Sequence, residues 1–232
     1  MIFLVFITDR FLSWRTIMIK TIGLTKKFGS RVLYRSANLS ISDGEMVAFL
    51  GESGCGKTTL LNLLSLLDPQ YEGEILIDGV DYKKVSKGKR EKQRSVLFSY
   101  IFSQDYLLDY LTPRENIVLL CKEAGRFVPD TLWQEMDDFG LTPLLDGDTK
   151  TLSQGERQRI SAFRAIALHK KYLICDEPSA HLDHANSEKL FALLSAQKKK
   201  GSTIIVSLHD KSMLSCFDEA FQIANYEITK IA

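Results

Sequence analysis

The feature that most constrains this chain is the glycine-rich segment GESGCGKT at residues 51–58. A continuous apolar run, Met46–Leu50, precedes it and is typical of a strand buried on both faces of a sheet. The residues that follow, Lys57–Leu67, have leucines at helical spacing. The pattern GxxxxGK[ST] between a strand and a helix wraps backbone N–H groups around phosphate oxygens. This context predicts a nucleotide phosphate site in an α/β fold, and it disfavours a chance glycine-rich turn.

The residue types in this loop have separate chemical roles. Lys57 is expected to reach the β- and γ-phosphates of a nucleotide, and the Thr58 hydroxyl to bind Mg²⁺. Cys55 is interpreted as a small filler in preference to a redox-sensitive thiol, although helix N-termini lower thiol pKa. The predicted nucleotide-binding residues of the loop are Gly51, Glu52, Ser53, Gly54, Cys55, Gly56, Lys57, Thr58 and Thr59.

Two adjacent carboxylates, Asp176 and Glu177, follow a second buried apolar run at Tyr172–Cys175. Asp176 is placed to hold Mg²⁺, and Glu177 to orient or deprotonate an attacking water. Successive side chains of a strand point in opposite directions, so neighbouring acids can serve different purposes. Taken alone, the segment would be an ordinary exposed Asp-Glu-Pro turn. A phosphate loop upstream favours the catalytic interpretation.

The alternation of strands and helices predicts a mostly parallel sheet flanked by helices. Amphipathic strands between Ile19 and Ile41 predict an antiparallel β subdomain, and a helical pattern broken by prolines predicts a helical subdomain inserted at about residues 105–168. A third buried strand is expected at Ser202–Ser207 and two short ones at 219–231. Strand patterning begins near Met18, so residues 18–232 are predicted to be the domain and residues 1–17 an extension or a misassigned start.

Composition excludes several classes of protein. The chain has 30 Lys plus Arg against 29 Asp plus Glu, so its net charge is +1. This balance lacks the basic footprint of a nucleic-acid binder and leaves only a local basic patch open. Its four cysteines are scattered, which argues against a disulfide framework or a zinc site and suits a reducing cytosol. No apolar stretch approaches the ~20 residues of a membrane helix. The expected location is therefore cytoplasmic.

The segment LSQGERQR, Leu152–Arg159, resembles the LSGGQ signature of the ATP-binding cassette (ABC) family. The resemblance extends from Ile19 almost to the C-terminus. It implies that Ser153 and Gly155, at a helix N-terminus, bind the γ-phosphate of ATP held by an opposing subunit. Ser153 with Glu156 is also a capping box, and both interpretations can hold because a capped helix start presents free N–H groups. Two residues depart from the family pattern: Gln154 replaces the first glycine, and Glu156 replaces the glutamine.

Four further positions match the family in chain order. Gln104 resembles the glutamine that senses Mg²⁺, and Asp183 in SAHLD resembles a residue that crosses the dimer interface. His209 resembles the histidine that contacts the γ-phosphate. Phe28 occupies the position of an aromatic ring that stacks on adenine, commonly tyrosine. The resemblance thus implies Glu177, His209 and Gln104 as catalytic residues, and Thr58, Gln104 and Asp176 at the metal.

The branch that the chain most resembles contains lipoprotein-release, macrolide-efflux and bacteriocin-export ATPases. The supporting segments are residues 51–54, Leu60–Asn62, Tyr106–Leu108 and Leu111–Asn116. The resemblance implies ATP and Mg²⁺ as cofactors, and a second ATPase copy, with a heterodimer left open. It also implies a separate integral membrane permease contacted by residues 104–123, no nucleic acid, and a peripheral location on the inner face of the cell membrane. It indicates neither cargo nor direction of transport.

Two alternatives remain at this stage. A soluble cassette ATPase acting on ribosomes or DNA usually has tandem cassettes or long coiled-coil insertions, and this chain has neither. A non-enzymatic binding module with a degraded site is the other. The complete set of Lys57, Asp176, Glu177 and His209 argues against it.

Overall fold

Two β-sheets, with helices on both sides of the larger one, form the part of the chain that the structure describes. The structure is a computed structural model, and it describes residues 17–209 and 211–232. The strands are β1 Ile17–Phe28, β2 Arg31–Ser42, β3 Met46–Leu50, β4 Glu72–Ile77, β5 Val80–Asp81, β6 Phe98–Ile101, β7 Tyr172–Asp176, β8 Thr203–Leu208, β9 Glu219–Ala224 and β10 Glu227–Lys230. The α-helices are α1 Lys57–Leu64, α2 Lys87–Leu97, α3 Pro113–Glu123, α4 Asp130–Asp138, α5 Gln154–Ile166 and α6 His184–Lys199.

The larger sheet has the strand order β10-β9-β3-β8-β7-β6, and all of its pairings except the β9–β10 hairpin are parallel. Every residue of β3, β7 and β8 is buried, as expected for apolar runs covered on both faces. Leu50 is in register with Leu208, and Asp176 with Ser207. The carboxyl ends of these strands therefore meet at one edge, where open parallel sheets place their ligands.

The smaller sheet is antiparallel, with the order β2-β1-β4-β5, and it carries the aromatic residue Phe28 at the end of β1. Its buried face shares a hydrophobic core with α1 and with one face of the larger sheet. Lys26 is 1% exposed in this core, and its ammonium group pairs with Asp68 at 2.7 Å. The sheet thus holds the end of β1 beside the loop that follows β3.

Helices α3, α4 and α5 follow β6 and precede β7 in the chain. They pack with α6 on the other face of the larger sheet. Pro113 begins α3 behind the capping residue Thr112, because a proline at the first helical position needs no N–H partner. Buried Asn116 hydrogen-bonds the backbone at Leu108, Leu111 and Thr112, which fixes the loop that enters α3.

The expected fold class is confirmed, with three local differences. Helix α2 was not predicted, because none of its residues is buried and its charged sequence has no apolar stripe. Helix α1 ends at Leu64 instead of Leu67, since Leu66 adopts a φ of +65°. Strand β1 begins at Ile17, one residue before the predicted domain start. The rest of the predicted extension, residues 1–16, lies outside the described residues, so its interpretation stays a prediction.

Helices α3–α5 fall inside the interval predicted for the inserted subdomain, residues 105–168, and the division itself stays a prediction. Among residues 17–209 and 211–232, no helix combines the length and apolarity that a membrane span requires.

Candidate nucleotide site

The loop between β3 and α1 has the backbone conformation that its glycines permit. Gly54 and Gly56 have φ values of +77° and +110°, which residues with side chains rarely adopt. A Cβ atom on Gly51 would lie 2.8 Å from the carbonyl oxygen of Ile223 in β9. The loop therefore depends on glycine both for its turn and for its close approach to the sheet.

Lys57 begins α1 and turns its ammonium group back toward the loop. Its side chain is 4% exposed, and Nζ donates to the carbonyl oxygens of Gly51 at 2.8 Å and Glu52 at 3.2 Å. Oε1 of Glu177 lies 3.5 Å from the same nitrogen. A buried ammonium requires such partners. Their arrangement fixes the positive charge at the mouth of the loop.

Thr58 and Asp176 meet across α1 and β7. The Thr58 hydroxyl donates to the Asp176 carboxylate, with oxygen separations of 2.8 and 3.1 Å. The Ser207 hydroxyl donates to Oδ1 of Asp176 at 2.7 Å and accepts from the backbone N–H of Glu177 at 2.9 Å. Asp176 is 6% exposed. A hydroxyl and a carboxylate converging in this way fit a hard cation such as Mg²⁺, which prefers oxygen ligands.

Glu177 and His209 form a second polar pair at the same edge. Oε2 of Glu177 lies 2.7 Å from Nε2 of His209, whose side chain is half exposed. Glu177 has a φ of +50°, a strained conformation for a residue with a side chain, and strain of this kind clusters at functional sites. The Glu177 carboxylate lies between Lys57 and His209, whereas the Asp176 carboxylate accepts from hydroxyl groups, so the two adjacent acids occupy different surroundings.

Phe28 borders a cavity of about 290 Å³ together with the phosphate loop. The ring is 53% exposed, and the Lys26 ammonium lies 4.6 Å from its centroid. The lining residues are Phe28, Arg31, Leu33, Ser53, Gly54, Gly56, Lys57, Thr58, Thr59 and Glu177. An exposed aromatic face, a phosphate loop and a carboxylate in one cavity are the groups that a nucleoside triphosphate requires.

Ser153 caps α5 and does not line this cavity within its own chain. The Ser153 N–H and hydroxyl both donate to Oε2 of Glu156 at 2.7 Å, and the hydroxyl accepts from the Glu156 N–H at 3.4 Å. The hydrogen bond from the Ser153 side chain holds the pKa of Glu156 below its usual value. A Cβ on Gly155 would lie 3.3 Å from the carbonyl oxygen of His181, so the loop before α6 packs directly on this glycine.

Asp183 caps α6, where its carboxylate accepts from the Asn186 N–H at 2.7 Å. This backbone hydrogen bond lowers the pKa of Asp183. Gln104 lies apart from the phosphate loop, in a second cavity of about 500 Å³ that Gln154 and His181 also line. The structure thus brings Lys57, Thr58, Asp176, Glu177 and His209 together, while the predicted residues Gln104, Ser153, Gly155 and Asp183 gather around the starts of α5 and α6.

Side chains of α5 anchor the segment that contains Gln104, and the sequence interpretation did not find them. Arg157 binds the Asp105 carboxylate through two nitrogens at 2.9 and 3.0 Å. Buried Arg164 donates to the carbonyl oxygens of Asp105 and Tyr106 at 2.6 and 2.7 Å, and burial lowers its pKa. Ser161 donates to the Asp105 carbonyl oxygen at 3.0 Å. These hydrogen bonds join α5 directly to the segment after β6.

The Asp105–Arg157 pair leads to a prediction about pH. Burial alone would raise the pKa of Asp105, but the hydrogen bonds and charge of Arg157 hold it below its usual value. A carboxylate with a depressed folded-state pKa stabilises the fold above the unfolded-state pKa, and this stability is lost as pH falls through the folded-state pKa. Asp105→Asn should therefore lower the free energy of unfolding at pH 7, with a deficit that narrows below about pH 4.

Urea unfolding of both proteins across this pH range would check the Asp105 prediction. Asp137→Asn is the matched control, since Asp137 is exposed and has no ion pair in the described part of the chain. A deficit that stays constant with pH would contradict the assignment.

Comparisons with known proteins point to one family. The family model described as "ABC transporter" matches residues 34–180. The lipoprotein-releasing system ATP-binding protein LolD of Porphyromonas gingivalis is 32% identical over 205 residues, which cover 87% of this chain and 94% of that protein. LolD of Bacteroides thetaiotaomicron is 31% identical over 217 residues, covering 92% and 100%. The macrolide export protein MacB of Campylobacter fetus is 34% identical over 219 residues, but these are only 34% of its length.

Solved structures are similar over the same extent. The dimeric post-hydrolysis state of the ATP-binding cassette MJ0796, bound to ADP and Pi, has a TM-score of 0.80 and 27% sequence identity. It covers 91% of this chain and 96% of that one. None of these comparisons favours an ATPase that acts on ribosomes or DNA.

Proposed function

Since this chain belongs to the ABC transporter family and is an ATP-binding, ATP-hydrolysing subunit, we propose that two copies work as a dimer that drives a separate membrane permease in export or mechanical work across the envelope. The observation that carries the proposal is the meeting of Lys57, Asp176 and Glu177 at one edge of the parallel sheet. The end of β7 contributes the two acids and the start of α1 contributes Lys57, so only the folded chain brings the three together.

The chain binds the nucleotide through three groups. Phe28 offers its exposed face to the adenine base, backed by the Lys26 ammonium on the ring. Backbone N–H groups of the loop and the N-terminus of α1 surround the phosphates. Lys57 exchanges the carbonyl oxygens of Gly51 and Glu52 for the β- and γ-phosphate oxygens.

Thr58 and Asp176 would hold Mg²⁺. Family resemblance assigns Gln104 to the same ion, but in the single chain Gln104 lies in the second cavity, apart from the phosphate loop. Bound there, Mg²⁺ would neutralise negative charge on the phosphates. No group of three or more His, Cys, Asp or Glu side chains with metal-binding geometry occurs in residues 17–209 and 211–232. This fits an ion that keeps phosphate and water ligands alongside one or two protein oxygens.

Glu177 acts as the general base. Its carboxylate orients a water and accepts its proton while the water oxygen bonds to the γ-phosphorus and the bond to the β-phosphate oxygen breaks. Ser207 holds the Glu177 backbone, and Lys57 and His209 flank its two carboxylate oxygens. His209 is exposed enough to turn from Glu177 toward the γ-phosphate as hydrolysis proceeds.

A second copy completes the site. Ser153 and Gly155 lie outside the nucleotide cavity of their own chain, yet they begin a helix whose N–H groups suit an anion. In a head-to-tail pair, each α5 N-terminus covers the ATP of the other copy, and Asp183 lies at the interface. Closure on two ATP molecules is the power stroke, and hydrolysis reopens the dimer. The dimeric structures of the similar cassette support the formation of a dimer.

The permease is proposed to dock on residues 104–123, and the expected location is therefore the cytoplasmic face of the cell membrane. Tyr106 and Tyr110 in this segment are 61% and 78% exposed. Arg157 and Arg164 tie the segment to α5, so dimer closure would move it. The relatives named LolD and MacB support a transport role.

A tagged pull-down from detergent-solubilised native membranes, read by mass spectrometry, tests this partner. A near-stoichiometric protein with several membrane spans is expected. Recovery only from the soluble fraction, with ribosomal or DNA-repair proteins, would contradict the proposal.

Variants of the two capping boxes, at Thr112 and Ser153, distinguish an effect on stability from an effect on ATP hydrolysis. Thr112→Ala and Ser153→Ala each remove an N-cap hydroxyl and should each lower the free energy of unfolding by about 1 kcal/mol. Only Ser153→Ala should also lower ATP hydrolysis, because its hydroxyl begins the helix that covers the partner's ATP. Urea unfolding and phosphate release measure the two effects. Equal hydrolysis rates in the two variants would contradict the role of Ser153.

A further inference from the structure

Glu156 places a negative charge where the proposed dimer brings ATP phosphates. Its Oε2 lies 2.7 Å from both the nitrogen and the hydroxyl oxygen of Ser153. No Lys or Arg lies within ion-pair distance of this carboxylate in the described part of the chain, and Arg159 acts on it only at longer range. A dimer that closes on ATP would therefore bring this carboxylate toward the triphosphate, which is unfavourable unless a cation comes with it.

Arg31 is an exposed cation at the rim of the nucleotide cavity. It begins β2, and its Nη2 donates to the Gly54 carbonyl oxygen at 2.8 Å, which holds the guanidinium beside the phosphate loop. It lines the cavity together with Phe28 and Lys57. Among residues 17–209 and 211–232, no carboxylate lies within ion-pair distance of it. Arg31 therefore leaves a positive charge on the surface that the N-terminus of α5 from a second copy would cover.

We propose that Arg31 forms an ion pair with Glu156 of a second copy of this chain when the two copies close on ATP. The inference rests on the proposed head-to-tail dimer and adds a contact that selects the partner. Each copy contributes one arginine and one glutamate, so a two-fold axis generates two identical pairs. The guanidinium stands between the Glu156 carboxylate and the phosphates and offsets their repulsion. A cassette without a carboxylate at this position would be a poorer partner, because a desolvated cation would stay unpaired.

Exchange of the two charges tests the pair. All chains carry Glu177→Gln, so that ATP-bound dimers accumulate, and dimer formation is followed by size-exclusion chromatography with light scattering. Arg31→Glu and Glu156→Arg should each weaken homodimerisation at least about tenfold, because each homodimer brings like charges together twice. An equimolar mixture of the two variants should recover most of the lost affinity, since the heterodimer contains one native and one reversed pair.

Two controls make the result specific. Arg35→Glu changes the same charge on the same strand at an exposed residue that does not line the nucleotide cavity, and it should dimerise like the background. Because Glu156→Arg also removes a helix cap, a chain carrying Arg31→Glu with Glu156→Gln provides a second measurement. It removes the like-charge contact and should dimerise more tightly than Arg31→Glu alone.

The outcomes are distinguishable. Single variants that dimerise like the background would overturn the ion pair. The ion pair would also be overturned if the equimolar mixture stayed monomeric and the chain with Arg31→Glu and Glu156→Gln dimerised no more tightly than Arg31→Glu alone. If the Glu177→Gln chain itself forms no ATP-dependent dimer, the proposed dimer is wrong and the pair is overturned with it.

Discussion

Replacing Glu177 by glutamine is expected to slow ATP hydrolysis by about 10²- to 10⁴-fold, the range of a general base, while nucleotide binding persists. The amide keeps the shape of the side chain but cannot accept the proton of the attacking water. The turn that carries Glu177 is held by Ser207, and the neighbouring Asp176 is untouched, so the site should otherwise keep its geometry. Because the closed state hydrolyses its ATP much more slowly, an ATP-bound dimer should accumulate.

Steady-state phosphate release measures the rate of the Glu177→Gln variant, and light scattering measures its dimer. Glu188→Gln is a matched control, because Glu188 is also a glutamate beside a histidine. Its Oε2 lies 3.7 Å from Nδ1 of His184, and both side chains are exposed on α6. That variant should hydrolyse ATP at the unmodified rate. Unimpaired hydrolysis by Glu177→Gln would refute its assignment as the base.

Replacing Lys57 by alanine is expected to weaken ATP binding by about ten- to a hundredfold. Hydrogen bonds to charged groups contribute about 1.5–3 kcal/mol each, and one such contact corresponds to this change in Kd. Lys57 is the one lysine among the residues lining the nucleotide cavity in the described structure. Its removal also leaves Glu177 without the ammonium at 3.5 Å, so hydrolysis should fall as well.

Calorimetric titration with ATP and Mg²⁺ checks the Lys57 prediction. Lys92→Ala is the control, because Lys92 is exposed on α2 and does not line the cavity, so the same charge is lost outside the site. ATP affinity should be unchanged in that variant. A Kd for ATP that stays the same in Lys57→Ala as in the unmodified chain would contradict the assignment of the phosphate loop.

Much of the fold followed from patterns that are local in the chain. Strands β3, β7 and β8 are continuous apolar runs, and such runs are recognisable because a strand buried on both faces has no polar alternation. The glycine-rich loop was recognisable because residues with side chains rarely adopt the φ values of Gly54 and Gly56. Helix α2 escaped prediction because it buries no residue and therefore has no hydrophobic periodicity.

Parts of the candidate site could not be predicted, because their partners are distant in the chain. Ser207 appeared as a polar residue inside an apolar strand, and only the register of β7 with β8 places its hydroxyl 2.7 Å from Asp176. In the sequence, Arg157 and Arg164 are arginines of a predicted helix with no indicated partner, and only the fold places Asp105 beside them. Arg31 belongs to no recognisable motif, and only its hydrogen bond to the Gly54 carbonyl oxygen places its guanidinium beside the phosphate loop.

The sequence by itself indicated the chemistry of this protein. The phosphate loop, the acidic pair at the end of β7 and the signature at the start of α5 are contiguous segments, and each can be recognised from its residue types and their spacing. The tertiary structure decided how these segments are arranged. It brought Lys57, Asp176 and Glu177 to one sheet edge and left Ser153 outside the cavity of its own chain. The reason is physical: a motif needs only neighbouring residues, whereas a site needs strand register and burial, which depend on pairings across the whole fold.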